Sequence, residues 1–409
     1  MSRAGIVRAR LLAGGAVAAG GAGLLAGGAV AAAAAGPVLD RIVARVETRV
    51  CRVHRPGPYP ASEHARTLHA TIPVADLHAD SLLFGRDLAI RAARGHVDVP
   101  RLLEGGVALQ VLAAATRISR HVRLTGNDDR GDDVRWLAIG QRWPARTWRS
   151  LLERALHLAA RTRDLERRSG GRFRAVGTRD GLDRLLAERA DGRRVVGGLL
   201  AIEGAHALED DVANVDVVFR AGYRMISPAH FFDTAFGGSA HGSRRGGLTP
   251  LGREMVARME ALGMLVDVAH ASEATIDDAL GIATRPVVAS HTGVRGTFDS
   301  PRNLPDAQLR GIAATGGVVG IGFWDAATGG RDVAAIVRAI GHAVEVAGPA
   351  HVALGSDFDG AVPTPFDATG LPMLTDALLA AGFDERAVRG VMGENAIRVL
   401  RATLPPGVG

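Results

Sequence analysis

Lysine is absent from all 409 residues, so the 49 residues of the Lys/Arg class are all arginine. That absence excludes Schiff-base chemistry, a pyridoxal anchor and a carbamylated lysine bridging two metals. Any such bridge must be a carboxylate or solvent. The single cysteine, Cys51, excludes an internal disulfide and any multi-cysteine zinc site. It lies in TRVCRV, which lacks the small apolar residues of a lipoprotein cleavage site, and reads as a plain thiol. Aromatic residues make up 4% of the chain, so platforms for stacking nucleic-acid bases are scarce. The formal charge of +6 is spread among acids rather than gathered in stripes, and no nucleic-acid partner is expected.

What the chain does have begins with a long apolar run. Arg3, Arg8 and Arg10 precede an uncharged Gly/Ala/Leu/Val stretch from Leu11 to Leu39, long enough to cross a bilayer. Ala31 to Ala35 before Gly36 offer a small-residue cleavage site. Residues 1–40 are therefore expected to be a signal peptide or N-terminal membrane anchor, with the folded domain exported and extracytoplasmic. The alternative is a tethered domain on the cytoplasmic side, because the arginines after the run outnumber those before it. Val38, Leu39, Ile42, Val43, Val46 and Val50 fall at helical spacing. Residues 41–62 read as an amphipathic segment followed by the Pro-rich linker RPGPYPAS, with the folded domain over 63–404. The C-terminal RATLPPGVG carries no lipid-anchor signal.

Short apolar strand candidates follow at 72–78, 106–114, 195–203, 223–230, 263–270, 286–291, 317–323 and 351–357. Helical patterns separate most of them, near 151–167, 209–221, 250–262, 273–282, 304–314 and 332–347, with two more in 372–401. Alternating strands and helices imply a parallel sheet, and eight repeats close a barrel: an α/β, TIM-type (β/α)8 fold. The long gap 115–194, with Trp136, Trp143 and Trp148, reads as an excursion loop with extra helices.

In such barrels catalytic residues cluster at the C-terminal strand ends. The first candidate strand ends in His78 and Asp80, two residues apart and so on one side of an extended chain. Alone, that pair is a weak motif. The third candidate ends in Glu203, the fourth in His230, the fifth in His270, the sixth in His291 and the eighth in Asp357 and Asp359. Three histidines with two or three carboxylates suffice for a two-metal site, and without lysine Glu203 is the natural bridge. Asp357 suits the proton shuttle that a leaving group needs. His54, His64, His69, His121, His157 and His342 read as ordinary surface residues, and His206 and His241 as loop or supporting residues.

DLHAD, IEGAH, GGLTPLGREMV, LVDVAHAS, PVVASH, RNLPD and ALGSDFDG, taken in order, resemble the successive signatures of the membrane dipeptidase (renal dipeptidase) family of zinc peptidases. The resemblance runs from about residue 68 to VMGENAIRVL near 400. It implies an amidohydrolase-like barrel, usually dimeric, that cleaves dipeptides by hydroxide activated on two zinc ions, and leaves open dipeptides with a C-terminal D-residue. It also implies that His78 and Asp80 bind one zinc, His270 and His291 the other, and that Glu203 bridges them. His230 would meet the substrate carbonyl, Arg302 would grip its terminal carboxylate, and Asp357 would be the general acid/base. Asp359 is expected to support its neighbour. The chain departs from the family at Gly322-Phe323-Trp324, where members often carry a tyrosine, and in FFDTAFGGSAHG after His230. Both departures bear on side-chain specificity. The paired cysteines and C-terminal lipid signal of animal members are missing. Two other readings stay open: a related amidohydrolase acting on N-acyl amino acids or lactones, and a non-catalytic membrane-tethered binding barrel.

Overall fold

The computed structural model describes residues 29–407. Nine parallel strands are labelled in chain order: β1 (Val74–Ala79), β2 (Val107–Ala115), β3 (Phe173–Ala175), β4 (Val196–Glu203), β5 (Tyr223–Ile226), β6 (Leu265–Asp267), β7 (Val287–Thr292), β8 (Val318–Ile321) and β9 (Val352–Leu354). Pairing runs β2-β1-β9-β8-β7-β6-β5-β4, and a further β2–β4 pairing closes the ring. The eight strands of this closed barrel are the eight expected, and the fold is a TIM-type (β/α)8 barrel. Each is buried along its whole length, as a sheet clothed in helices requires.

The ring closes across the long gap. Leu109 to Ala115 pair in unbroken register with Gly197 to Glu203. The excursion between β2 and β4 contains helices Asp133–Gly140, Leu151–Arg168 and Arg179–Ala190, together with β3, which pairs with the start of β4. β3 was not foreseen; three residues are too few to show a period of two. The start of β4 is glycine because Phe173 packs there: a Cβ on Gly198 would lie 2.2 Å from its ring. The helices begin where their caps dictate. Ser150, Thr249, Ser272 and Asp332 each accept a hydrogen bond from a backbone N–H of the first turn. The C-terminal helix Asn395–Thr403 packs Ile397 and Leu400 into a cluster with Leu77, Leu109 and Leu199 of the sheet.

The signal or anchor expected over residues 1–40 lies mostly outside the described residues. Among those described, no helix is long and apolar enough to cross a membrane. One continuous helix, Ala29–Val50, leads into the domain, burying Leu39, Val43 and Val50. His69, read from sequence as a surface residue, is in fact buried. Its Nδ1 lies 2.7 Å from Thr375 Oγ1 and its Nε2 3.0 Å from the Gly105 carbonyl, so it ties its helix to two neighbours.

Candidate metal centre and substrate pocket

The chain ends that leave the barrel carry its polar residues to one place. Glu203 is the last residue of β4, and its carboxylate sits among four imidazoles. Oε1 lies 3.0 Å from His270 Nε2, 3.3 Å from His291 Nε2 and 3.7 Å from His78 Nε2; Oε2 lies 3.4 Å from His230 Nε2. Asp80 Oδ2 approaches His78 Nε2 at 3.5 Å. Potential ligand atoms of His78, Glu203 and His291 lie within 4.8 Å of one another, as do those of Glu203, His230 and His270, and those of His78, Asp80 and Asp357. All the expected site residues thus converge. Both expected pairs lie together, His270 Nε2 being 3.0 Å from His291 Nε2 as His78 is near Asp80, while His291 also stacks on His78 with ring centroids 3.7 Å apart.

The cluster fits bound cations. His78 has both ring nitrogens buried without a hydrogen-bond partner, and Asp80 Oδ1 and the Nδ1 atoms of His230 and His270 are likewise unpartnered. Such orphaned polar atoms are costly unless something else satisfies them. Burial pushes Glu203 well above the usual carboxylate range, reinforced by Asp80 and Asp357 and opposed by His78. Burial works against a charge on His78, yet Glu203, Asp80 and Asp357 hold its pKa up at about 10. His230, His270 and His291 are driven well below their ordinary value by burial first, then by neighbouring positive groups. Neutral imidazoles around crowded carboxylates form the donor set that divalent transition metals take.

One imidazole has its tautomer set by the fold. Ser290 Oγ donates to Asp267 Oδ2 at 2.7 Å and lies 2.8 Å from His291 Nδ1. The hydroxyl has one proton, given to an acceptor-only carboxylate, so it accepts from His291 Nδ1–H. That leaves the Nε2 lone pair of His291 aimed at Glu203. Asp267 is held in turn by the backbone N–H groups of Ser290 and Ala269 at 2.8 and 3.0 Å. Ser290 and Asp267 carry no signal in the sequence because both sit inside strand segments, where a polar residue reads as packing. Removing such an orienting partner typically costs 10- to 100-fold in metal affinity. Ser290→Ala should therefore bind metal about 10- to 100-fold more weakly in a competition titration, with kcat recovering at saturating metal.

The approach to the cluster is backbone that few residues tolerate. His270, Asp357 and Asp359 have φ of 63°, 58° and 61°, a left-handed region where His and Asp are enriched but strain is stored. Gly204, at φ +93°, turns the chain off β4. A Cβ there would meet the His206 ring at 2.4 Å.

His206 itself is buried with both nitrogens unpartnered, and burial, with Arg117 and Arg154, lowers its pKa to about 3. As pH falls from about 6.5 toward about 3, the unfolded chain takes a proton that the folded one refuses, so stability present above 6.5 is lost in that window. His206→Gln should flatten the decline in unfolding free energy between about pH 7 and about pH 5. Urea melts with parallel slopes for both proteins would count against this.

A cavity of about 240 Å³ opens onto the cluster. Asp80, Glu203, His230, His270, Arg302 and Asp357 line it, joined by Phe231 and Trp324 from the two segments expected to bear on specificity and by His241, read from sequence as a loop or supporting residue. Arg302 is buried, donates to the His291 carbonyl at 2.6 Å and lies 5.7 Å from the Trp324 ring. Burial lowers its pKa to about 10, against the pull of Asp357 and Glu203, which leaves it a cation at neutral pH. Phe232 turns away and stacks on His206. Asp359 takes no place in the cluster: it accepts from Ser81 Oγ at 2.6 Å, from the His96 N–H at 2.6 Å and from Arg86.

The sequence model of the membrane dipeptidase family, peptidase family M19, matches residues 62–404. An uncharacterized protein from the pqqA 5′ region of Klebsiella pneumoniae is 37% identical over 52% of this chain and 84% of its own length. An uncharacterized dipeptidase of Schizosaccharomyces pombe is 31% identical over 52% of this chain and 54% of its own. Among solved structures, a metallopeptidase from Rhodobacter sphaeroides, liganded with a phosphinate mimic of L-Ala-D-Ala, superposes with a TM-score of 0.68 at 28% identity, covering 81% of this chain and 99% of that one. A dipeptidase of family M19 superposes with a TM-score of 0.69 at 29% identity, covering 82% and 99%. The chain belongs to the membrane dipeptidase family, peptidase family M19, and is a metallopeptidase of the dipeptidase type.

Proposed function

We propose that the protein hydrolyses dipeptides with two zinc ions, held by His78, Asp80, Glu203, His270 and His291, with Glu203 shared between them. The observation that carries this reading is one buried carboxylate within 3.0–3.7 Å of four histidines. The absence of lysine agrees with it, since it leaves a carboxylate or solvent as the bridge. Bound there, zinc would supply Lewis acidity and lower the pKa of a water into the neutral range.

The chain's own groups do the rest. Arg302, fixed against the His291 carbonyl, presents a planar guanidinium to the terminal carboxylate of a dipeptide. His230, its pKa depressed by burial, stays neutral and orients the scissile carbonyl. Asp357 carries a proton from the attacking water to the departing amine. The phosphinate complex of the Rhodobacter sphaeroides enzyme supports extending the substrate class to dipeptides with a C-terminal D-residue. Attachment to a membrane, export and assembly as a homodimer belong to the same reading as proposals, motivated by the N-terminal apolar run and the family resemblance.

The test is a panel of L,L and L,D dipeptides, with and without chelator. Release of amino acids that chelation abolishes and zinc restores supports the reading; no release by zinc-loaded protein sinks it. Hydrogen bonds to a charged group contribute about 1.5–3 kcal/mol, equivalent to about 10- to 150-fold. Arg302→Ala should therefore raise KM for dipeptides by about that factor while leaving hydrolysis of neutral esters or lactones indifferent. Equal effects on both classes would favour the amidohydrolase alternative.

A further inference from the structure

The matched family region begins at residue 62, yet the cavity over the metal cluster is completed by residues that precede it. Val46 and Val50, on the helix Ala29–Val50, line the same cavity as Glu203, Arg302 and Asp357. Their apolar companions there include Leu83, Phe84, Ile118 and Leu137. This helix is not loosely laid against the barrel. Between the two valines, Glu47 is fully buried and accepts hydrogen bonds from Arg86 and, at 2.5 Å, from Arg94 Nε. Arg86 also donates to Asp359 and, at 2.5 Å, to the Val97 carbonyl. Beyond the helix, Cys51 Sγ donates to the Asp359 carbonyl at 3.4 Å. The backbone around Arg52 and His54 exchanges hydrogen bonds with Thr364 at 2.9 and 2.8 Å. Asp40 accepts two bonds of 3.0 Å from Arg142.

We infer that the helix Ala29–Val50 is a wall of the substrate pocket, and that Val46 and Val50 set specificity by contact with an apolar side chain of the substrate. The inference rests on the dipeptidase reading and adds a selection device from outside the matched family region. A cavity of about 240 Å³ lies below the range of roughly 300–1,000 Å³ usual for drug-sized ligands, so a ligand at the cluster has little room away from this wall. The ion pairs of Glu47 fix the register of the helix, and with it which two valines face inward. A carboxylate buried among arginines has one place to sit, whereas an apolar helix face can slide.

The test uses the full chain, zinc-loaded, on a dipeptide series graded from Ala-Ala to members bearing Leu, Phe or Trp at either position. One methylene in an apolar pocket changes selectivity by about 10- to 200-fold. Val46→Trp should lower the ratio of kcat/KM for the bulky substrates over Ala-Ala by about that factor. The paired Val46→Ala/Val50→Ala variant should move the ratio the other way, toward Trp-bearing substrates. It carries the decision alone if Val46→Trp fails to fold. A ratio unchanged in the double-alanine variant, while the wild type cleaves dipeptides normally, overturns the inference and leaves the dipeptidase reading standing. A wild type that cleaves none of the series overturns both.

Discussion

The Glu203→Gln enzyme is expected to hold fewer than about one zinc per chain and to lose about 1,000- to 10,000-fold in kcat. Glu203 is the one residue shared by the His78/His291 and the His230/His270 groupings. An amide cannot replace it. Its NH2 would turn a donor toward imidazoles whose pKa values burial has already depressed, and the substitution would remove the one carboxylate common to the two groupings. The substitution also removes a carboxyl that burial already disfavours as an anion, so the thermal midpoint without metal should hold or rise. That separates a catalytic defect from an unfolded protein. Metal analysis returning two ions per chain with kcat intact would show that Glu203 is no bridge and that the cluster binds metal through other residues.

The second large effect is on stability. Arg86→Met should cost about 3–5 kcal/mol, because removing one member of a buried ionic group strands the others. Arg86 joins Glu47 to Asp359, and all three side chains are at most 1% exposed. Burial pushes Glu47 up against the pull of Arg86 and Arg94, whereas Asp359 is held down, since Arg86, His96 and Ser81 outweigh its own burial. Without Arg86, Asp359 faces Glu47 with no guanidinium between them. The defect should reach the pocket, because Asp359 belongs to the left-handed turn that follows Asp357. Urea unfolding of the zinc-loaded protein measures it. A change below about 1 kcal/mol, the range of exposed ion pairs, would show that the helix Ala29–Val50 is peripheral to the fold.

The barrel was legible because its strands are unbroken apolar runs that stop at polar residues, and because eight of them alternate with amphipathic helices. Most of the site was legible for the same reason: a strand end in a parallel barrel has one direction to face, so His78, Glu203 and His291 had to converge. His230, His270 and Asp357 lie a few residues past their strands, in β5, β6 and β9 loops whose course no periodicity reports. The sequence reading reached them because its strand candidates ran on to 230, 270 and 357, past the strand ends that the structure shows. Asp267 and Ser290 were hidden because a polar residue inside a strand shows no partner until the neighbouring strand is in register. His69 was misread because an eight-residue helix carries too little pattern to reveal that both its sides are covered.

The sequence by itself determined the fold class, the residue types gathered at the strand ends and the exclusion of a lysine bridge, since these follow from local pattern and from which residues are missing. Only the tertiary structure decided what the helix Ala29–Val50 does. Arg86 lies 39 residues from Glu47 and 273 from Asp359, and pairing across such distances is set by how the barrel closes. It is that closure which carries two valines from the amphipathic segment after the apolar N-terminal run to the lip of the metal pocket.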